Sequence, residues 1–335
     1  MKIWKHSRLD FTLFVLSAAQ FGATLWLAES WEGSSFIWRI GNFALLVLMI
    51  VYNIIVISHL FTHTPWFHAQ WLNGLASILN SVNMGQSAQA YQLTHVRNHH
   101  RYNNDRKGLD GTTKDLSSTY RDGVGDEHAS LFKYAFGGAT ATLFSTVKTL
   151  LSITRLWSIG IHERELLALT SKSPVKRALQ LRQLQLDRTA CFLMVLLYVA
   201  ISWKWTLACY LPAFFCALAL VNVQNYYRHY GAAPENKYAD SVSYYGRIYN
   251  LLTFNDGYHQ EHHLRPLTHW RLMPAVLRGH EQLNQVERII SPVPAMLGIF
   301  HRNRAQLHRR SQVDHSPPLR VEQPAFSTAA KGGVR

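Results

Sequence analysis

The stretch Phe36–His63 reads FIWRIGNFALLVLMIVYNIIVISHLFTH, and it joins an apolar run directly to a pair of histidines. Residues 36–57 contain a single charged side chain, Arg39. At about 1.5 Å per residue, a helix of this length crosses the roughly 30 Å of hydrocarbon in a bilayer. His59 and His63 come at the end of the run. The stretch therefore predicts a membrane-spanning helix that ends in candidate metal ligands.

Two other apolar runs extend this pattern to a bundle. Residues 11–28 carry no charged side chain, and residues 189–223 carry only Lys204. The second run is long enough for two crossings, and the sequence Trp203-Lys204-Trp205 fits a turn at the membrane interface. Residues 11–28 would also fit a buried core helix or a signal peptide, but no small-residue cleavage site follows them. We predict an all-α integral membrane bundle with four crossings, which return the chain twice to one face.

Two further apolar segments are interrupted by polar residues. Residues 71–93 contain three asparagines, and residues 131–153 contain two lysines and two glycines. We interpret both segments as re-entrant or interfacial helices. Residues 154–188 carry seven lysines and arginines, and such loops stay in the cytoplasm. The alternative is a six-crossing bundle in which residues 131–153 span the membrane.

Nine of the eighteen histidines fall into four compact clusters. Three clusters have the spacings H-x-x-x-H, H-x-x-x-H-H and H-x-x-H-H, and the fourth is a single histidine in Asn-Tyr-Tyr-Arg-His-Tyr-Gly. Because residues three or four apart project from one face of a helix, the histidines of a cluster can converge on one point. The candidate metal ligands are His59, His63, His95, His99, His100, His229, His259, His262 and His263.

The type and number of these ligands favour two metal ions. Imidazole suits zinc, copper, iron and nickel, and nine imidazoles exceed the four positions of a tetrahedral zinc. Few carboxylates lie near the clusters, and Asp105, Asp256 and Glu261 are the candidate partners for the second ring nitrogens. A histidine-rich metal pair beside apolar helices indicates iron that acts with dioxygen on an apolar substrate.

One alternative is that the histidines only satisfy buried polar groups or lie at the membrane boundary. Another is a non-enzymatic metal-binding or transport protein, which would need ionisable residues inside the spans.

The order and spacing of the clusters resemble the membrane fatty acid desaturase and hydroxylase superfamily over about residues 40–275. Residues 256–263, Asp-Gly-Tyr-His-Gln-Glu-His-His, are followed by Pro266 and are similar to the third histidine box of sphingolipid and front-end desaturases. The resemblance implies a non-haem di-iron centre, dioxygen as co-substrate, and a lipid or fatty acyl substrate. Fatty acid desaturation is therefore the predicted reaction.

Other positions resemble a second branch of the superfamily. Residues 225–231 are similar to the Asn-Tyr-x-Glu-His-Tyr-Gly element of bacterial alkane hydroxylases, but Arg228 replaces the Glu. Thr94 stands where those enzymes have Glu before the second box, and Leu60 stands where both branches often have Glu. Desaturation, hydroxylation and oxidative decarboxylation to a terminal alkene can all begin with the same hydrogen abstraction. Alkane or fatty acid hydroxylation and alkene-forming decarboxylation therefore stay open as alternatives.

The charge and the cysteines bear on the partners. The net charge is +14 and the isoelectric point is near 9.8, but no zinc-finger cysteine pair or RNP-like motif indicates nucleic acid. Positive loops beside the spans set orientation and can attract an acidic electron carrier. The sequence has no iron–sulfur ligand set and no His-Pro-Gly-Gly cytochrome b5 motif. Electrons must therefore come from a separate ferredoxin, rubredoxin or cytochrome-type protein. The three cysteines lie in apolar runs and are Cys191, Cys209 and Cys216.

The chain divides into two parts by composition. Residues 1–301 form the predicted desaturase-like membrane domain. Residues 302–335 are rich in Arg, Gln, Ser and Pro with little periodicity, and we predict a disordered basic tail. We expect the protein in a bacterial inner membrane, with the active site on the cytoplasmic face.

Overall fold

The computed structural model describes residues 2–151, 161–170 and 173–300, which fold into helices joined by loops. Within these ranges the only β-type pairings are two isolated bridges. The α-helices are α1 (Asp10–Glu29), α2 (Phe36–Tyr52), α3 (His59–His63), α4 (Gln70–Met84), α5 (Ala88–Gln92), α6 (His100–Tyr102), α7 (Gly138–Leu150), α8 (Ile161–Thr170), α9 (Pro174–Trp205), α10 (Leu211–His229), α11 (Arg247–Leu252), α12 (His259–Leu264), α13 (Met273–Gly279) and α14 (Gln282–Gln285). Four π-helical segments cover Asn53–Ser58, Leu93–His99, Lys133–Gly137 and Thr206–Tyr210. Short 3₁₀ helices cover Trp270–Leu272 and Ala295–Phe300. The predicted tail lies outside the described residues.

The first two long helices run in opposite directions. Ser35 caps the N-terminus of α2: its hydroxyl accepts a hydrogen bond from the Trp38 N–H and so satisfies one free donor of the first turn. The side chain of Asn42 on α2 donates to the Leu27 carbonyl on α1 at 2.9 Å. Trp26 packs edge to face on Trp38 at the turn, as aromatic side chains do at a membrane interface. We call this end of the bundle the far end.

The third long helical segment is bent in the middle. It runs from Pro174 to His229, and Ser202 has non-helical dihedral angles of φ −156° and ψ 100°. The Ser202 hydroxyl lies 3.2 Å from the Glu32 carboxylate in the α1–α2 turn, and Lys204 lies 3.6 Å from it. The bend is therefore at the far end, at the place where the sequence predicts a turn.

Three continuous helical segments are long and apolar enough to cross a membrane: Asp10–Glu29, Phe36–His63 and Pro174–His229. The third has 56 residues, so the bend at Ser202 divides it into two arms of crossing length. The predicted all-α membrane bundle is confirmed. Both turns lie at the far end, and the chain returns twice to the opposite end, which we call the histidine end.

The first of the two interrupted segments, residues 71–93, enters the bundle and returns, and we call it the re-entrant hairpin. α4 packs against α1 and α9, and its Asn80 accepts a hydrogen bond from Ser17 at 2.7 Å. α4 stops at Gly85, which has a left-handed φ of 70°. A Cβ at this glycine would lie 2.8 Å from the Phe214 ring, so the turn requires a residue without one. α5 and the π-helix Leu93–His99 then lead back to the histidine end.

A buried carboxylate on α9 fixes this re-entrant hairpin. Asp187 accepts hydrogen bonds from the hydroxyls of Ser77 and Ser87 at 3.0–3.1 Å and from the Gln89 N–H at 2.9 Å. The side chain of Gln183 donates to the same carboxylate. The contacts join α9 to both arms of the hairpin, so they set the depth at which the returning arm begins.

The second interrupted segment also adds no net crossing. It enters beside α10, where the side chain of Asn222 donates to the Ala135 carbonyl at 3.0 Å. The next described helix, α8, packs through Leu166 and Leu167 against Leu93 in the returning arm of the re-entrant hairpin. The chain is thus back at the histidine end, which agrees with four crossings rather than six.

Candidate metal centre

The nine predicted ligands come together at the histidine end in two adjoining groups. Within each group, one nitrogen from every imidazole lies within 4.8 Å of the others. We call the first set the five-histidine group, and its members are His59, His63, His95, His100 and His262. We call the second set the four-histidine group, and its members are His99, His229, His259 and His263. The rings of His100 and His263 lie 4.4 Å apart between centroids, so the groups are neighbours.

The clusters of the sequence do not correspond to the two groups. His95 and His99, four residues apart, belong to different groups, and His95 shares its group with His100. The cause is the π-helix Leu93–His99, because i→i+5 hydrogen bonding brings residues five apart onto one face. The prediction that histidines three or four apart converge on one point is wrong for this cluster.

The third cluster is divided in the same way by a regular helix. On α12, His259 and His263 are four residues apart and face the four-histidine group. His262, three residues after His259, joins the five-histidine group. Each group also combines ligands from both halves of the chain. α12 thus supplies ligands to both groups.

The nitrogen positions in the five-histidine group fit a bound cation. The Nε2 atom of His262 lies 3.0 Å from those of His59 and His100, and His100 Nε2 lies 3.2 Å from that of His95. Nitrogens about 2.1 Å from one metal and at right angles lie about 3.0 Å apart. A neutral imidazole has one N–H, and at least one buried ring nitrogen of His63 has no hydrogen-bond partner among the residues that the structure describes. Such buried, unpaired nitrogens are costly unless a metal takes their lone pairs.

The protonation states are suited to metal binding. Burial and the neighbouring imidazoles hold the pKa well below its usual value for His95, His100, His259, His262 and His263. These rings are therefore neutral at physiological pH, and a neutral ring keeps one nitrogen lone pair for a metal.

Hydrogen bonds at the outer nitrogens orient three rings of the four-histidine group. His99 Nδ1 donates to the buried Asp115 carboxylate at 2.7 Å, His229 Nδ1 donates to the Asp240 carbonyl at 3.2 Å, and His263 Nδ1 donates to the side-chain oxygen of Asn103 at 3.2 Å. Each bond puts the ring proton on Nδ1 and leaves Nε2 as a lone-pair donor toward the centre. His229 and His259 face each other there with their Nε2 atoms 3.3 Å apart.

Asp115 is a strong outer partner because its own loop stabilises the charge. Burial alone would raise the pKa of Asp115, but His99 and the N–H groups of Ser117 and Asn104 outweigh it and hold the pKa below its usual value. The predicted partner Asp105 contacts none of the histidines that the structure describes. It accepts the N–H groups of Lys114 and Asp115 and so shapes this loop.

The five-histidine group has a different outer contact. His59 Nδ1 lies 3.5 Å from Asp256, which also pairs with the buried guanidinium of Arg228 and accepts a hydrogen bond from Tyr249. Arg228 stands where the alkane hydroxylase element has Glu, and its charge is balanced by Asp256. The third predicted partner, Glu261, is buried and accepts hydrogen bonds from Ser243 and Tyr245 rather than from a histidine.

Sequence reasoning missed Asp115, Asp240 and Asn103. Asp115 follows His99 by sixteen residues, in a polar loop with no regular spacing. Asn103 has a left-handed φ of 47°, which turns the chain directly after α6. The one indication available in the sequence was an asparagine, a residue type that tolerates this conformation, shortly after the second histidine box.

A cavity of about 410 Å³ reaches both groups from one side. It lies between the π-helix that follows α2, the start of α7 and one face of α10. Its wall includes His59 and His95 of the five-histidine group and His259 of the four-histidine group. The exposed side chains of Arg121 and Asp122 stand at its rim. The volume is within the range of small-molecule sites in proteins.

A family model described as fatty acid desaturase matches residues 36–288. The match begins at the first residue of α2 and includes all nine histidines and Asp115. No individual curated protein matches the sequence significantly. With its membrane-length helices and its two histidine groups, the protein is a lipid-acting membrane oxidoreductase of a metal-using type. The chain belongs to the fatty acid desaturase family.

Proposed function

We propose that this protein is an oxygen-dependent di-iron enzyme that desaturates a fatty acyl chain. The observation that carries the proposal is the pair of adjoining imidazole groups with their nitrogens directed inward, next to a cavity. One iron would be held by the five-histidine group and one by the four-histidine group. Nitrogen donors of this kind suit iron, and the family supports its use.

The residues of the chain hold the ions and keep the site dry. When bound, the two ions supply, with dioxygen, the oxidising power to remove hydrogen from an unactivated C–H bond. Seven of the nine imidazoles are buried and the other two, His95 and His100, are half-buried, so bulk water reaches the reacting face only from one side. His59, His95 and His259 line the cavity, where a substrate carbon would lie. Desaturation removes two hydrogen atoms from the chain, and two further electrons and two protons complete the reduction of dioxygen to two waters.

Desaturation is preferred to the other two reactions because of the third box. Residues 256–263 match the desaturase pattern over more positions than residues 225–231 match the hydroxylase pattern. The contact of Asp256 with His59 and Arg228 gives the first residue of that stretch a role at the metal centre. Hydroxylation or decarboxylation would need the substrate radical to recapture oxygen or to lose its carboxyl carbon.

Product analysis tests the reaction. Cells that express the chain receive a labelled saturated fatty acid, and their lipids are analysed by mass spectrometry. We expect an unsaturated acid of unchanged length. Oxygen from labelled dioxygen in the organic product would replace desaturation by hydroxylation, and a terminal alkene one carbon shorter would replace both.

Metal analysis tests the centre itself. We expect about two iron atoms per chain after iron-replete expression. The variant His262→Ala should lose turnover while still inserting into the membrane, because insertion depends on the apolar segments. One zinc and no iron in the purified protein would remove the mechanism, and full turnover in the variant would remove His262 from the ligands.

The electron donor would approach the histidine end from the cytoplasm. The exposed side chains of Arg101, Lys114 and Lys237 lie on loops and helix ends that also carry His100, Asp115 or Asp240. Such a basic surface favours an acidic ferredoxin, rubredoxin or cytochrome, and electron transfer should slow as salt rises.

Thiol labelling tests the cytoplasmic placement of the loops. Single cysteines near residues 110, 170 and 320, in a chain whose three native cysteines are replaced, should resist an impermeant thiol reagent in intact cells.

A metal transporter is the non-enzymatic alternative. Transport through the bilayer needs ionisable groups along a path inside the spans. Asp187 is one buried acid in the third long segment, but it is fully engaged with hydroxyl, amide and backbone donors of the re-entrant hairpin. The histidines lie together at one end, which favours a fixed centre over a path.

A further inference from the structure

The cavity follows one face of α10, and its two ends differ in chemistry. Leu218, Asn222, Asn225 and Arg228 line it at spacings of three and four residues, which places them in one row. From Leu218 to Arg228 the row is about 15 Å long. Leu218 lies deep in the bundle, and Arg228 lies beside the histidines at the end of the helix.

The deep end of the cavity is mainly apolar. Ile54 and Ile55 from the π-helix after α2 face Leu218 and Val221 from α10, and Ala141 from α7 completes this part of the wall. Three polar side chains also line this part: Thr142 on α7, Gln86 beside the Gly85 turn, and Asn222 on α10, whose amide already donates to the Ala135 carbonyl at 3.0 Å. This part of the cavity is suited to a hydrocarbon chain.

The opposite end is polar and opens at the surface. Asn225, Ser117 and Ser118 line it, and Arg121 and Asp122 stand at the rim. Asn225 donates to the hydroxyl of Tyr134 at 2.6 Å, which fixes the side chain against this wall. This end is suited to a head group that carries oxygen atoms and forms hydrogen bonds.

The histidines adjoin the polar end. Arg228, one turn beyond Asn225 on α10, contacts Asp256 beside His59, and His229 follows it directly. Gln224 also lines the cavity here, is 1% exposed, and has a buried side-chain oxygen with no hydrogen-bond partner in the described parts of the chain. An unpaired amide oxygen buried inside a protein is costly unless a bound ligand or a water molecule supplies a hydrogen-bond donor. The polar wall and the reacting face therefore belong to the same half of the cavity.

Resting on the proposed function, we infer that the substrate is a single-chain amphiphile bound with its oxygen-bearing head group at Ser117 and Asn225 and its tail toward Leu218. The carbon that faces the metal centre is then close to the head group. A chain inserted methyl end first toward the histidines would place hydrocarbon against the polar wall and leave the apolar end to the head group. The geometry thus assigns head-proximal oxidation rather than oxidation at the terminal methyl.

Photochemical crosslinking to the full-length, iron-loaded protein without reductant tests the orientation. One probe is a long-chain fatty acid with a diazirine next to the carboxyl group, and the other carries the diazirine at the methyl end. We expect the first to label residues 116–122 and Asn225, and the second to label residues 138–142 and Leu218. Each probe is also used as its methyl ester, which distinguishes an uncharged head group from a carboxylate. The form that labels the protein more strongly identifies the kind of head group that the site binds.

A matched pair of variants measures the contribution of the polar wall. Asn225→Leu keeps the approximate volume and removes the amide, and we expect affinity for the fatty acid probe to fall about tenfold. Cys216→Ala, on α10 but away from the cavity, should bind as the parent does. Ser117→Ala is a milder second variant, with an expected loss of about threefold, in case the first does not fold. Iron content and thermal stability are measured for each.

Two results would overturn the inference. The reversed labelling pattern would show that the methyl end lies at the polar wall, and labelling of neither region would show that the cavity does not hold the chain. Neither result depends on turnover. A protein that lacks iron or forms no product, yet shows the expected labelling, would contradict the proposed function and leave the binding orientation standing.

Discussion

The two histidine groups differ in how their rings are held. In the four-histidine group, three of the four rings donate an outer N–H to an oxygen of Asp115, Asp240 or Asn103. In the five-histidine group, the one carboxylate near an outer nitrogen is Asp256, at 3.5 Å from His59, among the residues that the structure describes. One site is therefore built from few, oriented ligands and the other from more, less oriented ligands.

The difference shows two ways to secure a metal. An outer hydrogen bond fixes the ring and raises its basicity, so each ligand contributes more. In the five-histidine group an additional ligand compensates for the looser orientation, because four imidazoles remain after the loss of one. The four-histidine group should consequently be the more sensitive of the two to the loss of a single side chain.

The largest expected effect is the removal of a ligand from the four-histidine group. His259→Ala leaves three imidazoles, and iron per chain should fall to about half with more than about a hundredfold loss of product formation. Iron is measured by plasma mass spectrometry and product by gas chromatography. His68→Ala, which changes an exposed histidine outside both groups, is the control. Unchanged iron in His259→Ala would contradict the assignment of this group.

Removal of a peripheral ligand from the five-histidine group should cost less. His63 makes no close nitrogen contact of the kind that joins His262 to His59 and His100, and His63→Ala leaves four ligands. We expect iron to be retained at about the parental ratio and turnover to fall about tenfold. Equal losses in His63→Ala and His259→Ala would break the comparison between the groups.

Loss of an outer partner should act on one group alone. Asp115→Asn removes the charge that orients His99, and we expect iron affinity of the four-histidine group to fall about tenfold. The measurement is a competitive chelator titration, which resolves two affinities. Asp105→Asn, which affects the same loop but touches no histidine, should lower affinity by a smaller factor. Loss from both groups would show that the loop as a whole supports the centre.

The smallest expected difference between the groups follows a change in the re-entrant hairpin. This hairpin leads to His95, His99 and His100 and so supplies both groups. Asp187→Asn should weaken its anchoring and lower the free energy of unfolding by about 1–3 kcal/mol. The iron affinities of the two groups should fall together. Thermal unfolding in detergent and the chelator titration check the two expectations, and a selective loss would assign Asp187 to one group.

The bundle could be predicted from the sequence, and the nine histidines could be singled out as candidates, because both depend on local composition. Long uncharged runs indicate membrane helices, and closely spaced pairs of histidines are easily recognised in a sequence. The division into two groups depends on the π-helix Leu93–His99, which the spacing of the second cluster does not reveal. Asp115 and Asp240 reach the histidines only after loops have folded over the histidine end. The polar half of the cavity likewise depends on packing between α7, α10 and the loop before α7.

Each histidine group combines ligands from distant parts of the chain, and this has a consequence for biosynthesis. The five-histidine group needs His262, and the four-histidine group needs His99 from the first third of the chain and three ligands from the last. A ribosome that has made residues 1–228 has therefore placed five imidazoles in the membrane with neither site complete. In the proposed centre, metal loading must wait until residue 263 has emerged and α12 has folded against the other ligands. Iron insertion would then be a late event, and a chain cut short before α12 would lack ligands of both groups.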